Sequence, residues 1–206
     1  MNPNLVNTFV NTAPADARLP PRERIVAAAC ELFYRHGIRG VGVEAIADAA
    51  GTNKMTLYRH FASKDELVAE CLRKVGAKAD ALWDRIEAAH PGDPRAQLSA
   101  WAAAMGGHLA DTEERGCAMC NAAVELPDRS HPARAVIEAF KSAQRDRLAR
   151  LCAAAGAPQA ELLADELFLL AEGARVSRQS VGPEGPAARF VRMAEATIAR
   201  HLCAAA

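Results

Sequence analysis

The residues best suited to bind a polyanion lie in a short run from Asn53 to Lys64. Positions 54 to 60, KMTLYRH, are spaced so that Leu57 and the following Phe61 face inward while the other side chains stay outside. Ammonium, imidazole and phenol donors suit phosphate oxygens, whereas amide, hydroxyl and thioether groups can reach base edges or a thymine methyl. We therefore predict nucleic-acid contacts from Lys54, Tyr58, His60 and Lys64 to phosphates and from Asn53, Met55 and Thr56 to bases.

Two helices joined by a tight turn must position this run. Residues 43–49 form a short apolar-periodic segment, and Gly51 supplies the left-handed backbone that ends a helix at low cost. Asn53 then stands where the N-cap of a second helix belongs. Ser63 and Glu66 form a capping box, in which each side chain accepts a backbone N–H of the other, and the next helix starts there. A helix-turn-helix this compact is the arrangement that places its second helix in the major groove of DNA.

The longer segment 22–73 resembles the DNA-binding domain of the tetracycline-repressor (TetR) family of bacterial regulators. The resemblance rests on its leading helix, on the G-I-R-G turn at 37–40 and on the L-Y-x-H-F signature at 57–61. Two positions depart from the usual pattern, since Gly42 replaces a common threonine and Met55 replaces a frequent glycine. The resemblance implies a transcriptional regulator that binds double-stranded DNA as a homodimer. We expect a repressor that a small apolar or aromatic effector releases from a palindromic operator.

Composition and charge agree with a DNA-binding protein of the cytoplasm. The chain has 206 residues, 50% hydrophobic and 24% charged, which is ordinary for a globular protein of one or two domains. Residues 1–64 carry eight Lys and Arg against five Asp and Glu, and the remainder carries seventeen against twenty, so the attraction for phosphate lies where the motif is. Residues 1–17 have neither a basic start nor a continuous apolar run, which favours a flexible arm over a signal peptide or membrane anchor.

We expect an all-α fold, with a helix-turn-helix DNA-binding domain at 18–64 and a helical bundle for ligand binding and dimerisation at 65–206. The apolar pattern from Asp65 runs without a breaker to Pro91, so a tilt of this connecting helix would move the recognition helix. Beyond Pro94 only Ala- and Leu-rich helical segments follow. Large apolar side chains and a few polar anchors are the candidates for an effector pocket, with core packing or a surface ion pair as the competing interpretation. They are Trp101, Met105, His108, Met119, Phe140, Phe168, Glu172 and Arg175.

The last two helices are predicted to form the homodimer interface. Each carries an apolar stripe at helical spacing that a lone bundle would leave partly exposed. The resemblance implies the same, because family members pair through a four-helix bundle of their last two long helices. The two stripes consist of Leu163, Leu167, Leu170, Ala171 and Ala174 on the first helix and Phe190, Val191, Ala194, Ile198 and Leu202 on the second.

Three alternatives stand beside this interpretation. Of the six cysteines only Cys117 and Cys120 are close in sequence, and a thiol- or metal-responsive regulator of the same fold would use them as its switch. A single C-x-x-C lacks the four ligands of a structural zinc site, so we predict no metal and no cofactor. An enzyme is disfavoured because the polar residues of the second domain include no nucleophile at a diagnostic spacing from a base. A helical interaction module would show no salt-dependent affinity for DNA.

Overall fold

Helices account for the secondary structure of the part of the chain that the computed structural model describes, residues 19–111 and 115–203. In order they are α1 (Pro21–His36), α2 (Val43–Ala49), α3 (Lys54–His60), α4 (Lys64–Ala89), α5 (Pro94–Ala110), α6 (Ala118–Glu125), α7 (Pro132–Ala154), α8 (Ala160–Val181) and α9 (Phe190–Cys203), with a 3₁₀ turn at Pro186–Arg189. The predicted all-α fold class is confirmed. The predicted arm at residues 1–17 lies outside the described residues. Among the described helices none is long and apolar enough to span a membrane.

Local capping interactions set the ends of the helices around the motif. The Asn53 side chain accepts the N–H of Thr56 at 2.9 Å and starts α3 as predicted. Gly51 adopts a positive φ of 60° in the turn between α2 and α3. The Ser63 hydroxyl accepts the N–H of Glu66 at 3.1 Å, which is one half of the predicted capping box. The other half differs, because the Glu66 carboxylate accepts the N–H of Ala62, one residue before the expected position, at 2.9 Å.

Backbone contacts divide the chain into two compact units. The first, which we call the HTH unit, comprises the described residues up to Lys78 together with Cys117–Phe140. The second, the bundle unit, comprises Ala79–Gly116 without residues 112–114, and residues 141–203. Two of the three boundaries among the described residues fall within α4 and within α7, and the third lies between Gly116 and Cys117, just before α6. The predicted boundary at residue 64 therefore differs from this division, which groups residues 64–78 of α4, all of α6 and residues 132–140 of α7 with the motif.

The core of the HTH unit explains why α6 belongs to it. Ile25, Ile46, Leu57 and Leu67, from the four helices α1 to α4, are fully buried. Met119 of α6 is fully buried in the same cluster, where it is joined by side chains from the rest of α6 and from α7. These are Ala122, Leu126, Ala133 and Ile137. Burying a side chain of this size contributes about 1.5–3 kcal/mol, so α6 is an integral part of this core.

The bundle unit is built around α5, α8 and α9. Leu98, Leu163 and Leu167 are fully buried. An aromatic cluster adds to this core, since the rings of Trp83 and Trp101 stack with their centroids 6.3 Å apart and Phe190 meets Trp101 edge-on at 6.1 Å.

Candidate DNA interface and effector-binding residues

Helix α3 presents an exposed face that its buried side holds in place. Leu57 is fully buried, whereas Met55 is 70% exposed and Tyr58 is 42% exposed. Lys54, Arg59 and His60 are exposed on the same short helix, and Thr56 is half-buried. The structure thus brings most of the predicted DNA-binding side chains onto one accessible surface. Their contacts with DNA stay a prediction.

Helix α1 braces the turn between the two motif helices. The Arg24 guanidinium donates to the carbonyl of Ala50 at 3.0 Å and to that of Gly51 at 3.3 Å. Arg22 lies over the Phe61 ring, 5.1 Å from its centroid, and pairs with Glu70 at 2.8 Å. Both arginines therefore act inside the unit, one at each end of α3. The sequence pattern of α1 did not predict these contacts of the two arginines, because arginines near the start of a helix commonly lie on a solvent-exposed face.

Lys54 is paired with a carboxylate of α2. Its ammonium lies 2.6 Å from the Glu44 carboxylate, and both side chains are more than half exposed. The hydrogen bond between them, together with their opposite charges, lowers the pKa of Glu44 and raises that of Lys54. A phosphate would have to compete with Glu44 for this ammonium.

The Lys64 ammonium is hydrogen-bonded to the protein's own backbone. It donates to the carbonyl of Ile38 at 2.6 Å and lies 5.8 Å from the centroid of the Phe33 ring. This placement differs from the purely outward orientation expected for a phosphate contact. The side chain is half-buried, and an ammonium has three donors, so a contact to phosphate stays a prediction.

Comparisons with known proteins agree with this geometry. The family described as "Bacterial regulatory proteins, tetR family" matches residues 25–71. A solved structure of a TetR transcriptional regulator, sav143 of Streptomyces avermitilis, is 30% identical, covers 89% of this chain and 98% of its own, and superimposes with a TM-score of 0.77. The chain belongs to the TetR family. At the level of the family, the prediction of a helix-turn-helix transcriptional regulator rather than an enzyme is confirmed.

Two curated relatives match over a part of the chain that includes the motif. The HTH-type transcriptional activator FasR of Mycolicibacterium smegmatis is 41% identical over 64 residues, which are 31% of this chain and 28% of FasR. The HTH-type transcriptional repressor KstR2 of Mycobacterium tuberculosis is 44% identical over 52 residues, 25% of this chain and 26% of KstR2. The chain thus spans about a quarter of the length of these relatives, and one is an activator while the other is a repressor.

The bundle unit of this TetR-family protein contains four of the eight predicted effector-binding residues in a chain of contacts, and a fifth, His108, feels the charge of one of them. Glu172 accepts from Lys141 and from Arg175, each at 2.5 Å. Arg175 also approaches the Met105 sulfur at 3.1 Å, and Lys141 lies 5.8 Å from the centroid of the Phe168 ring. The predicted Glu172–Arg175 ion pair is therefore present, but Lys141 of α7 extends it, and no sequence pattern indicated that residue.

His108 lies near this cluster and is held neutral. It is only 7% exposed, and burial, reinforced by the charge of Arg175, lowers its pKa from 6.5 to about 4. Asp111 acts in the opposite direction on that pKa, and Arg85 in the same direction as Arg175. At neutral pH the imidazole is thus an uncharged hydrogen-bonding group.

The other three predicted effector-binding residues are placed elsewhere. Trp101 belongs to the aromatic core of the bundle unit and is 5% exposed. Met119 is fully buried in the core of the HTH unit, and Phe140 is half-buried against that same core. Trp101 and Met119 are therefore enclosed by the cores of their own units and Phe140 is covered only in part, and a role of the three in effector binding stays a prediction.

Most residues of the predicted dimer stripes are turned inward. Leu163, Leu167 and Ala171 of α8 are at most 4% exposed, and the corresponding residues Phe190, Ala194 and Ile198 of α9 are at most 6% exposed. The large apolar side chains that these helices leave exposed are Leu162, Leu169, Val176, Val181 and Met193. Seven of the ten chosen residues thus belong to the core of the bundle unit, whereas Leu170, Val191 and Leu202 are half-buried.

Cys117 and Cys120 stand at the start of α6. Cys117 is the N-cap and Cys120 is the third helical residue. Both are half-buried, and Cys117 packs against the core of the HTH unit. Within the described ranges no three His, Cys, Asp or Glu side chains are grouped so that they could hold a metal ion.

Proposed function

We propose that the protein is a dimeric repressor in which α3 enters the major groove of a palindromic operator. The observation that carries the proposal is the exposed face of α3, held by the Asn53 cap and by the buried Leu57. Basic side chains on that face would hold phosphates, and Met55 and Thr56 would face the bases. The relatives include an activator as well as a repressor. Repression is therefore the part of the proposal that a promoter-reporter assay must decide. A protein that binds the chromosome in this way would act in the cytoplasm.

A second copy of the chain is the proposed occupant of the exposed apolar stripe on α8. Leu162, Leu169 and Val176 are 48%, 67% and 56% exposed and are spaced seven residues apart, so they follow one line along the helix. Met193 of α9 adds an apolar side chain that is 48% exposed. One recognition helix reads only a few base pairs, and two copies related by a twofold axis would read a palindrome.

The test of this interface is Leu169→Glu, measured by light scattering at micromolar concentration. We expect the variant to be largely monomeric, because each dimer would bury two carboxylates among apolar side chains. Val124→Glu is the matched control, since Val124 is an exposed apolar residue, at 83%, that belongs to the HTH unit and to neither α8 nor α9. A Leu169→Glu protein that remains as dimeric as the control would contradict the proposed interface.

The effector is proposed to bind in the bundle unit beside the ion pairs that Glu172 forms with Lys141 and Arg175. Met105 and Phe168 provide apolar contacts there, and the neutral His108 and the paired Arg175 provide polar anchors for an apolar or aromatic molecule. Binding would release the operator only to the extent that the effector prefers one arrangement of the protein over another. Operator affinity must then change with effector by the same factor as effector affinity changes with operator.

A thiol response is the second candidate, favoured by the position of Cys117 and Cys120 on one turn at the start of α6. Diamide, which takes up the two thiol hydrogens as the disulfide forms, should then weaken operator binding, and Cys117→Ser should abolish that response. Operator affinity unchanged by diamide would remove this candidate.

Selection of duplexes from a random library by the purified protein tests the DNA-binding proposal directly. Thr56→Ala should weaken binding to the selected duplex by about 1–3 kcal/mol and leave binding to a random duplex unchanged. Lys54→Ala should weaken both alike and flatten the salt dependence. Equal losses on both duplexes for Thr56→Ala would refute its role in reading bases.

A further inference from the structure

The turn between α1 and α2 is held from two other helices of the HTH unit. The Glu125 carboxylate, at the end of α6, accepts the N–H of Ile38 at 2.7 Å and that of Arg39 at 3.1 Å. The carbonyl of Ile38 accepts the ammonium of Lys64, at the start of α4, at 2.6 Å. Both polar groups of the Ile38 backbone are thus bound by charged side chains, each of which makes a strong, charge-assisted hydrogen bond.

Helix α6 presents this carboxylate from a fixed position. Met119 and Ala122 anchor the helix in the core, and the Arg134 side chain donates to the carbonyl of Ala123 at 3.0 Å. Gly37 leaves space for the carboxylate, because a Cβ at that residue would lie 3.1–3.2 Å from the two Glu125 oxygens. Gly37 also has a positive φ of 78°, so a side chain there would be strained as well as crowded.

The bound turn leads directly into the motif. Val41 is 4% exposed and α2 begins at Val43, only a few residues after the two amides that Glu125 holds. Helices α2 and α3 are seven residues each, too short to be stable on their own, so their placement depends on such tertiary contacts.

We infer that Glu125 is a positioning residue for DNA binding: from α6, it fixes the turn that sets where α2 and α3 stand, without touching DNA itself. The inference rests on the proposed function and deepens it. If the turn is released, a smaller fraction of the molecules holds α2 and α3 in the orientation that fits the groove. The apparent operator affinity is the intrinsic affinity multiplied by that fraction, so it falls in the same proportion. Specific binding therefore suffers more than the general attraction for phosphates.

Three variants test the inference in the full-length protein. Glu125→Ala removes the acceptor, and Glu125→Asp keeps the charge but withdraws the carboxylate by one methylene. Glu138→Ala is the control, because it removes the same charge from an exposed position of the same unit that makes none of the described hydrogen bonds or ion pairs. Affinity is measured by fluorescence anisotropy on the duplex selected by the wild-type protein and on a random duplex.

We expect Glu125→Ala to weaken binding to the selected duplex about tenfold, the loss expected for a hydrogen bond to a charged group, and to affect the random duplex much less. Glu125→Asp should show a loss of the same kind, and Glu138→Ala none. Hydrogen exchange should become faster at the amides of Ile38 and Arg39 but remain unchanged in α4, a difference that a general loss of stability would not produce.

Equal affinity of Glu125→Ala and Glu138→Ala for the selected duplex would overturn the inference while leaving the proposed function intact. A wild-type protein that selects no duplex would instead refute the proposed function. If Glu125→Ala does not fold, Glu125→Asp tests the inference, because this variant keeps the negative charge of the wild-type protein. Wild-type operator affinity and wild-type hydrogen-exchange rates at the amides of residues 38–39 in Glu125→Asp would overturn the positioning role.

Discussion

The buried His108 makes the stability of this protein depend on pH in a calculable way. Its pKa is lowered from 6.5 to about 4 in the folded protein. Between those two values the unfolded chain binds a proton that the folded protein does not, so the free energy of unfolding falls as the pH falls. The full effect, reached below pH 4, is about 3 kcal/mol, because each pKa unit corresponds to about 1.4 kcal/mol. From pH 7 to pH 5 the expected loss is about 2 kcal/mol.

The assay compares wild type with His108→Gln, whose side chain is neutral at both pH values. Urea unfolding is followed by circular dichroism at pH 7 and pH 5, at one protein concentration because dimerisation would add to the apparent stability. Wild type should lose about 2 kcal/mol more than the variant on acidification. The rest of the chain is identical in the two proteins, so its contributions cancel in the difference. Equal losses for the two proteins would refute the conclusion that His108 is buried and neutral.

Two further predictions concern α2. Glu44→Gln should strengthen binding to any duplex by about threefold at low salt and less at high salt, because it removes a negative charge and frees the Lys54 ammonium for phosphate. Anisotropy titrations at two salt concentrations check this prediction, and weaker binding by the variant would contradict it. Gly42→Ser should raise the free energy of unfolding by about 0.5 kcal/mol, because Gly42 is the N-cap of α2 and has no side chain to accept a backbone N–H. A Cβ at this position would meet only the Glu44 carboxylate, at 3.7 Å. A lower urea midpoint for this variant would show that the cap does not form.

The ends of the motif helices follow from residues that are close together in the sequence. Asn53 caps α3 through the N–H of Thr56, and Ser63 caps α4 through that of Glu66. Gly51 takes the positive φ that the tight turn requires. Each of these interactions joins residues three positions apart or fewer, so their geometry follows from local backbone preferences that a residue pattern reveals.

The packing of the helices sets which surfaces remain exposed and which side chains bond to distant parts of the chain. Helix α8 has apolar residues on more than one side, and its periodicity could not show that Leu163 and Leu167 are buried while Leu162 and Leu169 are exposed. Lys64 bonds to a carbonyl 26 residues away, and Glu125 to an amide 87 residues away. Such pairings depend on how helices pack against one another, and because burial and long-range hydrogen bonds are set by that packing, no local pattern in the chain encodes them.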